Sequence, residues 1–148
     1  MTIAVAGAGA FGTALAVAFA KKAPVRLWAR DAAMVETMRS TRANPRLPDV
    51  ILPENIEVSA DLEAVFEANT ILLAVPAQQI SAFLTAHADR LAGKTIVSCA
   101  KGIDLTTLKG TASSISELVP TATAAILTGP SFAADIAKGL PTALTLAC

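Results

Sequence analysis

The chain begins MTIAVAGAGAFGTALAVAFAKK: twenty residues without a charged side chain, then Lys21 and Lys22 together. The glycines at its middle, Gly7, Gly9 and Gly12, constrain the fold more than any other feature. A bilayer offers no water to satisfy a backbone loosened by three glycines within six residues, which argues against a membrane span. A secretory leader places its basic residues ahead of the apolar run, whereas here only Met1 and Thr2 precede it and the lysines follow. The order that remains is a buried strand over 2–6, a turn, and an Ala/Leu-rich helix over 11–22.

Between that strand and that helix stands Gly7-Ala8-Gly9-Ala10-Phe11-Gly12. In a dinucleotide-binding turn with this spacing the first glycine makes the bend. The second admits a pyrophosphate to the backbone, and the third lets helix and strand pack closely. An anion at the helix N-terminus meets free N–H groups and the positive end of the helix dipole, an interaction of about 0.3 to 2 kcal/mol. A glycine-rich turn without a ligand is the plain alternative. The position of the motif, directly after a predicted strand and before a predicted helix, favours the cofactor reading.

The rest of the chain is consistent with such a domain. Its 148 residues suit a single domain, and 53% apolar against 16% charged residues suits a parallel sheet covered on both faces. Twelve basic and twelve acidic side chains cancel, which gives no footprint for nucleic acid or an anionic membrane. Cys99 and Cys148 make no metal-ligand spacing and no disulfide framework. After the first helix, strands are predicted over 25–29, 56–59, 70–75, 95–98, 124–128 and 142–147. Helices are predicted over 31–40, 61–68, 78–91 and 108–118, with a short one from Ser131. Asn44, Pro45, Pro48 and Pro53 make 44–53 a loop that no helix crosses. This alternation predicts an α/β fold, a doubly wound, mostly parallel sheet of the Rossmann type.

Such sheets bind ligands beyond the carboxyl ends of their strands. An NAD site commonly places a carboxylate about 20 residues after the glycines, against the adenosine ribose. Here Arg30 ends the second strand and Asp31 follows it. Arg30 either pairs with the 2′-phosphate of NADP or is a solvated strand-end arginine, with no second basic residue adjoining it in sequence. Pro76, in AVPAQ, gives a stiff wall without a donor. Lys101, in SCAKG, either points an ammonium into the crevice, to hold a phosphate or polarise a carbonyl, or is a surface lysine. In TGPSFA, Gly129 admits a ligand to the backbone, and Ser131 either caps the next helix or meets the substrate. His87, the only histidine, reads as a surface residue.

Together, GAGAFGTALA, NPRLPDVILPENI, AVPAQ, the KGI turn at 101–103 and above all TGPSFAADIAKGLPTA resemble the N-terminal half of bacterial-type NAD(P)-dependent glycerol-3-phosphate dehydrogenases. The resemblance covers residues 1–148. It implies reversible reduction of dihydroxyacetone phosphate to sn-glycerol 3-phosphate in the cytoplasm, for phospholipid synthesis, with NAD or NADP as cofactor. By position it assigns Ala10, Phe11, Arg30 and Ala133 to the cofactor, Lys101 to cofactor and substrate, and Gly129 and Ser131 to the substrate. It also implies a helical C-terminal domain, absent from these residues, that supplies the general-base lysine; no catalytic base is expected here. Homodimerisation stays open. The chain departs from the family in having Ala10 and Phe11 where Ser and Trp or Tyr are common, and in an NPRLP loop one residue short. A ketopantoate-type or 2-hydroxyacid-type reductase, or an NADP-sensing module without chemistry, are the alternative readings.

Overall fold

A computed structural model describes residues 2–148. The elements in chain order are β1 (Ile3–Ala6), α1 (Ala10–Ala20), β2 (Val25–Trp28), α2 (Ala32–Thr41), β3 (Ala43–Asn44), β4 (Leu47–Ile51), β5 (Ile56–Ser59), α3 (Glu63–Phe66), β6 (Thr70–Leu73), α4 (Ala77–Leu91), β7 (Thr95–Ser98), α5 (Thr111–Leu118), β8 (Thr123–Thr128), α6 (Ala133–Lys138) and β9 (Thr145–Ala147). Seven strands form one sheet in the order β5-β2-β1-β6-β7-β8-β9. All its pairings are parallel except that of β9, which runs antiparallel to β8. The strand order reverses between β1 and β6, and this switch point opens the crevice of a doubly wound sheet.

The apolar strands are continuous because both faces of the sheet are covered. In β1, Ile3 and Val5 join one core with Leu15, Leu27 and Val35, while Ala4 and Ala6 join the other with Ile80, Leu84 and Ile115. The same alternation sends Leu72 to the first core and Ile71 and Leu73 to the second. Helices α1, α2 and α6 thus cover one face and α3, α4 and α5 the other.

Several elements differ from the sequence-based expectation; the strand predicted over 142–147, for one, runs only over Thr145–Ala147. The proline-rich loop contains a hairpin, in which β3 pairs antiparallel with β4. Both prolines beside its tip are tolerated because its strands pair only with each other. The helix expected from residue 108 starts at Thr111, because 104–110 is a turn closed on Asp104. The strand predicted over 70–75 ends at Leu73, and Ala74 and Val75 leave the sheet to line the crevice. Helix α4 is irregular at His87 (φ −129°, ψ 19°).

Candidate functional site

The glycine turn is built as its spacing requires. Gly7 has φ +125°, a value that disfavours any side chain, and a Cβ there would lie 2.5 Å from the Ala74 carbonyl oxygen. A Cβ on Gly12 would lie 2.0 Å from the Gly7 carbonyl oxygen, so the third glycine lets α1 close on the turn. Gly9 differs from both: a Cβ there would meet nothing within 4 Å. It is the N-cap residue of α1 and supplies no side-chain cap. The fold itself does not need a glycine at this position. Gly9 instead stands at the N-terminus of α1 and lines the main cavity.

From this turn a cavity of about 1150 Å³ runs across the carboxyl ends of β1, β2, β6 and β7. Gly7, Gly9, Arg30, Pro76 and Lys101 all line it, as expected from the sequence. Pro76 is the N-cap of α4 and presents no donor. Arg30 is exposed and in no ion pair among the described residues. The neighbouring Asp31 carboxylate accepts the N–H groups of Ala33 and Met34 (2.9 and 3.3 Å) and so caps α2. Lys101 also lines a second cavity of about 250 Å³ with Phe11, Ala74, Val75 and Cys99. Burial pushes the Cys99 thiol up to about 12, so it stays protonated at neutral pH.

The structure leaves the other candidates outside both cavities. Ala10 opens α1 and packs against the first core. Gly12 lies buried beneath the Gly7 carbonyl. Gly129, Ser131 and Ala133 lie on the β8–α6 connection. A Cβ on Gly129 would fall 2.4 Å from the Ala143 carbonyl oxygen, and the Ser131 hydroxyl donates to that same oxygen at 3.1 Å. Ser131 therefore caps no helix: the N-cap of α6 is Phe132, and no side chain bonds there.

Sequence reasoning missed three parts of this region. Arg46, from the hairpin, lines the main cavity together with Arg30. The turn after Lys101 is fastened to α4: Gln78 donates to the Ile103 carbonyl (2.8 Å) and accepts the Leu105 N–H (3.0 Å), while Ser81 donates to Asp104 (2.7 Å). His87 is half-buried in an aromatic row, 5.0 Å from Phe83 and 5.2 Å from Phe66 between ring centroids, and it lines the cavity. Partners separated in sequence by up to 27 residues leave no local signal.

Residues 2–148 match the profile of a family described as NAD-dependent glycerol-3-phosphate dehydrogenase N-terminus. The chain is 55% identical over 149 aligned residues to glycerol-3-phosphate dehydrogenase [NAD(P)+] of Ruegeria sp. (strain TM1040), covering 100% of this chain and 47% of that protein. It is 55% identical to the protein of the same name from Paracoccus denitrificans (strain Pd 1222), with 100% and 46% coverage. Among solved structures it is similar to glycerol-3-phosphate dehydrogenase from Coxiella burnetii, with a TM-score of 0.90 at 32% identity, covering 98% of this chain and 46% of that one. A ketopantoate reductase from Ralstonia eutropha JMP134 gives 0.67 at 21% identity over 86% of this chain and 41% of that one, a likeness of fold alone. The chain spans less than half the length of the curated relatives it matches.

Proposed function

The chain belongs to the family of NAD-dependent glycerol-3-phosphate dehydrogenase N-terminal domains, and on that premise we propose that it is the cofactor-binding half of an enzyme interconverting dihydroxyacetone phosphate and sn-glycerol 3-phosphate. The observation that carries this reading is Gly9. It is a glycine that the fold leaves free, set at the N-terminus of α1 and at the head of a cavity that reaches Lys101.

A nicotinamide nucleotide, NAD or NADP, supplies the hydride when bound. The residues of this chain bind and orient. The turn 7–12 and the first N–H groups of α1 take the pyrophosphate, with Ala10 and Phe11 at its edge, and Pro76 forms a wall that offers no competing donor. Arg30 pairs with the 2′-phosphate of NADP. Lys101, at the junction of the two cavities, sets its ammonium against the substrate's phosphate or carbonyl oxygen and touches the cofactor. Gly129 and Ser131 meet the substrate and Ala133 the cofactor; while donating to Ala143, Ser131 keeps oxygen lone pairs free to accept. Cys99 holds its proton and takes no part.

The proton for the alkoxide comes from a C-terminal helical domain, whose docking would cover Ile103, Leu105, Leu108 and Phe132, all exposed here. The setting is the cytoplasm and phospholipid synthesis. No helix among the described residues is long and apolar enough to cross a membrane.

The test is calorimetry of this chain with NADPH and NADH, alongside NADPH oxidation with dihydroxyacetone phosphate. Binding without turnover is expected, and turnover in the complete protein. Absence of nucleotide binding would overturn the reading. Steady turnover by residues 1–148 alone would overturn the division of labour, because a missing proton transfer typically costs about 10² to 10⁴ in rate. Offering the complete protein 2-oxo acids or ketopantoate separates the other reductases. A complete protein that binds NADP and reduces none of them would be a sensor.

A further inference from the structure

We propose that Arg46 is the second cation of the subsite for the adenosine 2′-phosphate, held there by the β3–β4 hairpin, and that with Arg30 it sets the preference for the phosphorylated cofactor. The inference rests on the nucleotide-binding reading above and concerns a residue which that reading does not use.

The arginines sort themselves. Of the six in the chain, Arg26 bonds the Ala64 carbonyl and Glu67, Arg39 the Val58 carbonyl, Arg42 the carbonyls of Leu52, Pro53 and Ile56, and Arg90 the Glu63 carboxylate. Only the guanidiniums of Arg30 and Arg46 make no hydrogen bond or ion pair among the described residues, and these are the two that line the main cavity. Four arginines hold the fold together, and two face the space where a ligand would lie.

Arg46 is not there by chance of a floppy loop. Asn44, only 1% exposed, donates from Nδ2 to the Ala8 carbonyl at 3.1 Å and to the Thr13 hydroxyl at 2.7 Å, while its Oδ1 accepts the Arg46 N–H at 2.9 Å. Both amide hydrogens and the amide oxygen are therefore engaged in a site closed to water. Ala8 stands between Gly7 and Gly9, so this one side chain bolts the hairpin tip to the phosphate turn. Asn44 acts as the positioning residue and Arg46 as the contact.

The charges favour the 2′-phosphate over the pyrophosphate as the partner. A phosphate monoester carries about −1.5 to −2 charges at pH 7 and three strong acceptor oxygens. One guanidinium supplies a single charge and a two-pronged fork. Two guanidiniums lining one cavity can balance the group; Arg30 alone does not. The pyrophosphate already has the helix N-terminus and the backbone of the turn. Asp31, an acidic residue that also lines the cavity, turns Oδ1 to its own helix, which lessens its repulsion of a phosphate.

The experiment is a titration of the 148-residue chain, whose two cores close within it, and of the complete protein. The ligands are NADPH, NADH, adenosine 2′,5′-bisphosphate and AMP, and the proteins are wild type, Arg46→Gln and Arg30→Gln, read by calorimetry. Arg46→Gln is expected to weaken NADPH and the bisphosphate about ten-fold. NADH and AMP should stay within about two-fold of wild type. Arg30→Gln should show the same signature. Equal losses for NADPH and NADH would put Arg46 on the pyrophosphate and overturn the proposal, and unchanged affinities would make it a solvent arginine. In either case discrimination by Arg30→Gln would leave the cofactor reading standing, whereas a wild type that binds no nucleotide would remove both.

Discussion

Gly9→Ala and Gly12→Ala add the same methyl group three residues apart, and the structure predicts opposite consequences. At Gly9 the new Cβ meets nothing within 4 Å, and the residue already has φ −71° and ψ −179°, an extended conformation open to alanine. Reduced freedom of the unfolded chain stabilises by about 0.4 to 1 kcal/mol, and alanine is a poorer N-cap than glycine by a similar amount, so the two effects nearly cancel. For a domain of this size 1 kcal/mol is about 2 to 4 °C, so the melting temperature of Gly9→Ala should stay within about 2 °C of wild type. On the proposed function, however, the methyl would occupy the space that a pyrophosphate enters. NADPH affinity should fall at least about ten-fold, or about 1.4 kcal/mol. At Gly12 the Cβ would sit 2.0 Å from the Gly7 carbonyl oxygen and 2.9 Å from the Ala74 Cβ. Turn and helix must separate by more than an ångström, an overpacking that costs about 1 to 3 kcal/mol or more. Gly12→Ala should therefore melt several degrees lower as well as bind poorly. Thermal denaturation followed by circular dichroism, with NADPH titration of each folded variant, reads both quantities. If Gly9→Ala binds NADPH like wild type, or melts as low as Gly12→Ala, the division into a ligand-facing and a packing glycine is wrong.

Three other variants test the rest of the site. Lys101→Met keeps the apolar stem of an exposed side chain, so the melting temperature should barely move, while kcat/KM of the complete enzyme should collapse; near-normal kcat/KM would return Lys101 to the surface. The Ser81 hydroxyl, then the Thr107 and Thr106 N–H groups, hold the Asp104 carboxyl below the usual carboxylate range. A lowered carboxylate contributes stability above its unfolded value of about 3.9 and loses it as pH falls through the folded one. Protection of the Thr106 and Thr107 amides, relative to their intrinsic exchange rates, should therefore fall below about pH 4, and Asp104→Asn should remove that acid step; identical protection profiles would refute it. Cys99, with its thiol pushed up to about 12 by burial, should resist iodoacetamide at pH 8 while the exposed Cys148 is alkylated, as peptide mass spectrometry would show. Prompt labelling of Cys99 in the folded chain would mean that the small cavity admits more than the structure shows.

The sheet was legible because its signals are local. Apolar runs such as Thr70 to Leu73 and the glycines at 7, 9 and 12 act within one turn or one strand, and their order requires the parallel topology that is observed. The resemblance over residues 1–148 pointed to the family that the relatives at 55% identity bear out. Errors came where a partner far along the chain decides the conformation. The helix predicted from residue 108 starts late because Asp104, tied to Ser81, takes the N–H groups of Thr106 and Thr107 and closes a turn instead. In sequence the loop of Asn44, Pro45 and Pro48 reads as punctuation, yet Asn44 is among the least exposed polar residues described. Nothing in the neighbourhood of an asparagine before a proline announces a bond to Ala8, 36 residues away.

The candidate site divides along the same line. Gly7, Gly9, Arg30, Pro76 and Lys101 sit at strand ends, where the topology of a parallel sheet alone brings them to one crevice, and all five line it. Arg46 is not at the carboxyl end of a strand of the main sheet. It reaches the cavity through the hairpin and the Asn44 amide, so it cannot be placed until the tertiary structure is known. Ser131 shows the converse case. Its position after β8 was found correctly, but the Ala143 carbonyl that takes its hydroxyl lies 12 residues on and was not foreseeable. A substrate that needs the Ser131 proton must therefore compete with a backbone oxygen already in place, whereas one that offers a donor can bind without breaking that bond. The hydroxyl groups of glycerol 3-phosphate are such donors, and the phosphate oxygens are not. On the proposed function, Ser131 would therefore meet the carbinol end of the substrate, and Lys101 its phosphate or carbonyl oxygen.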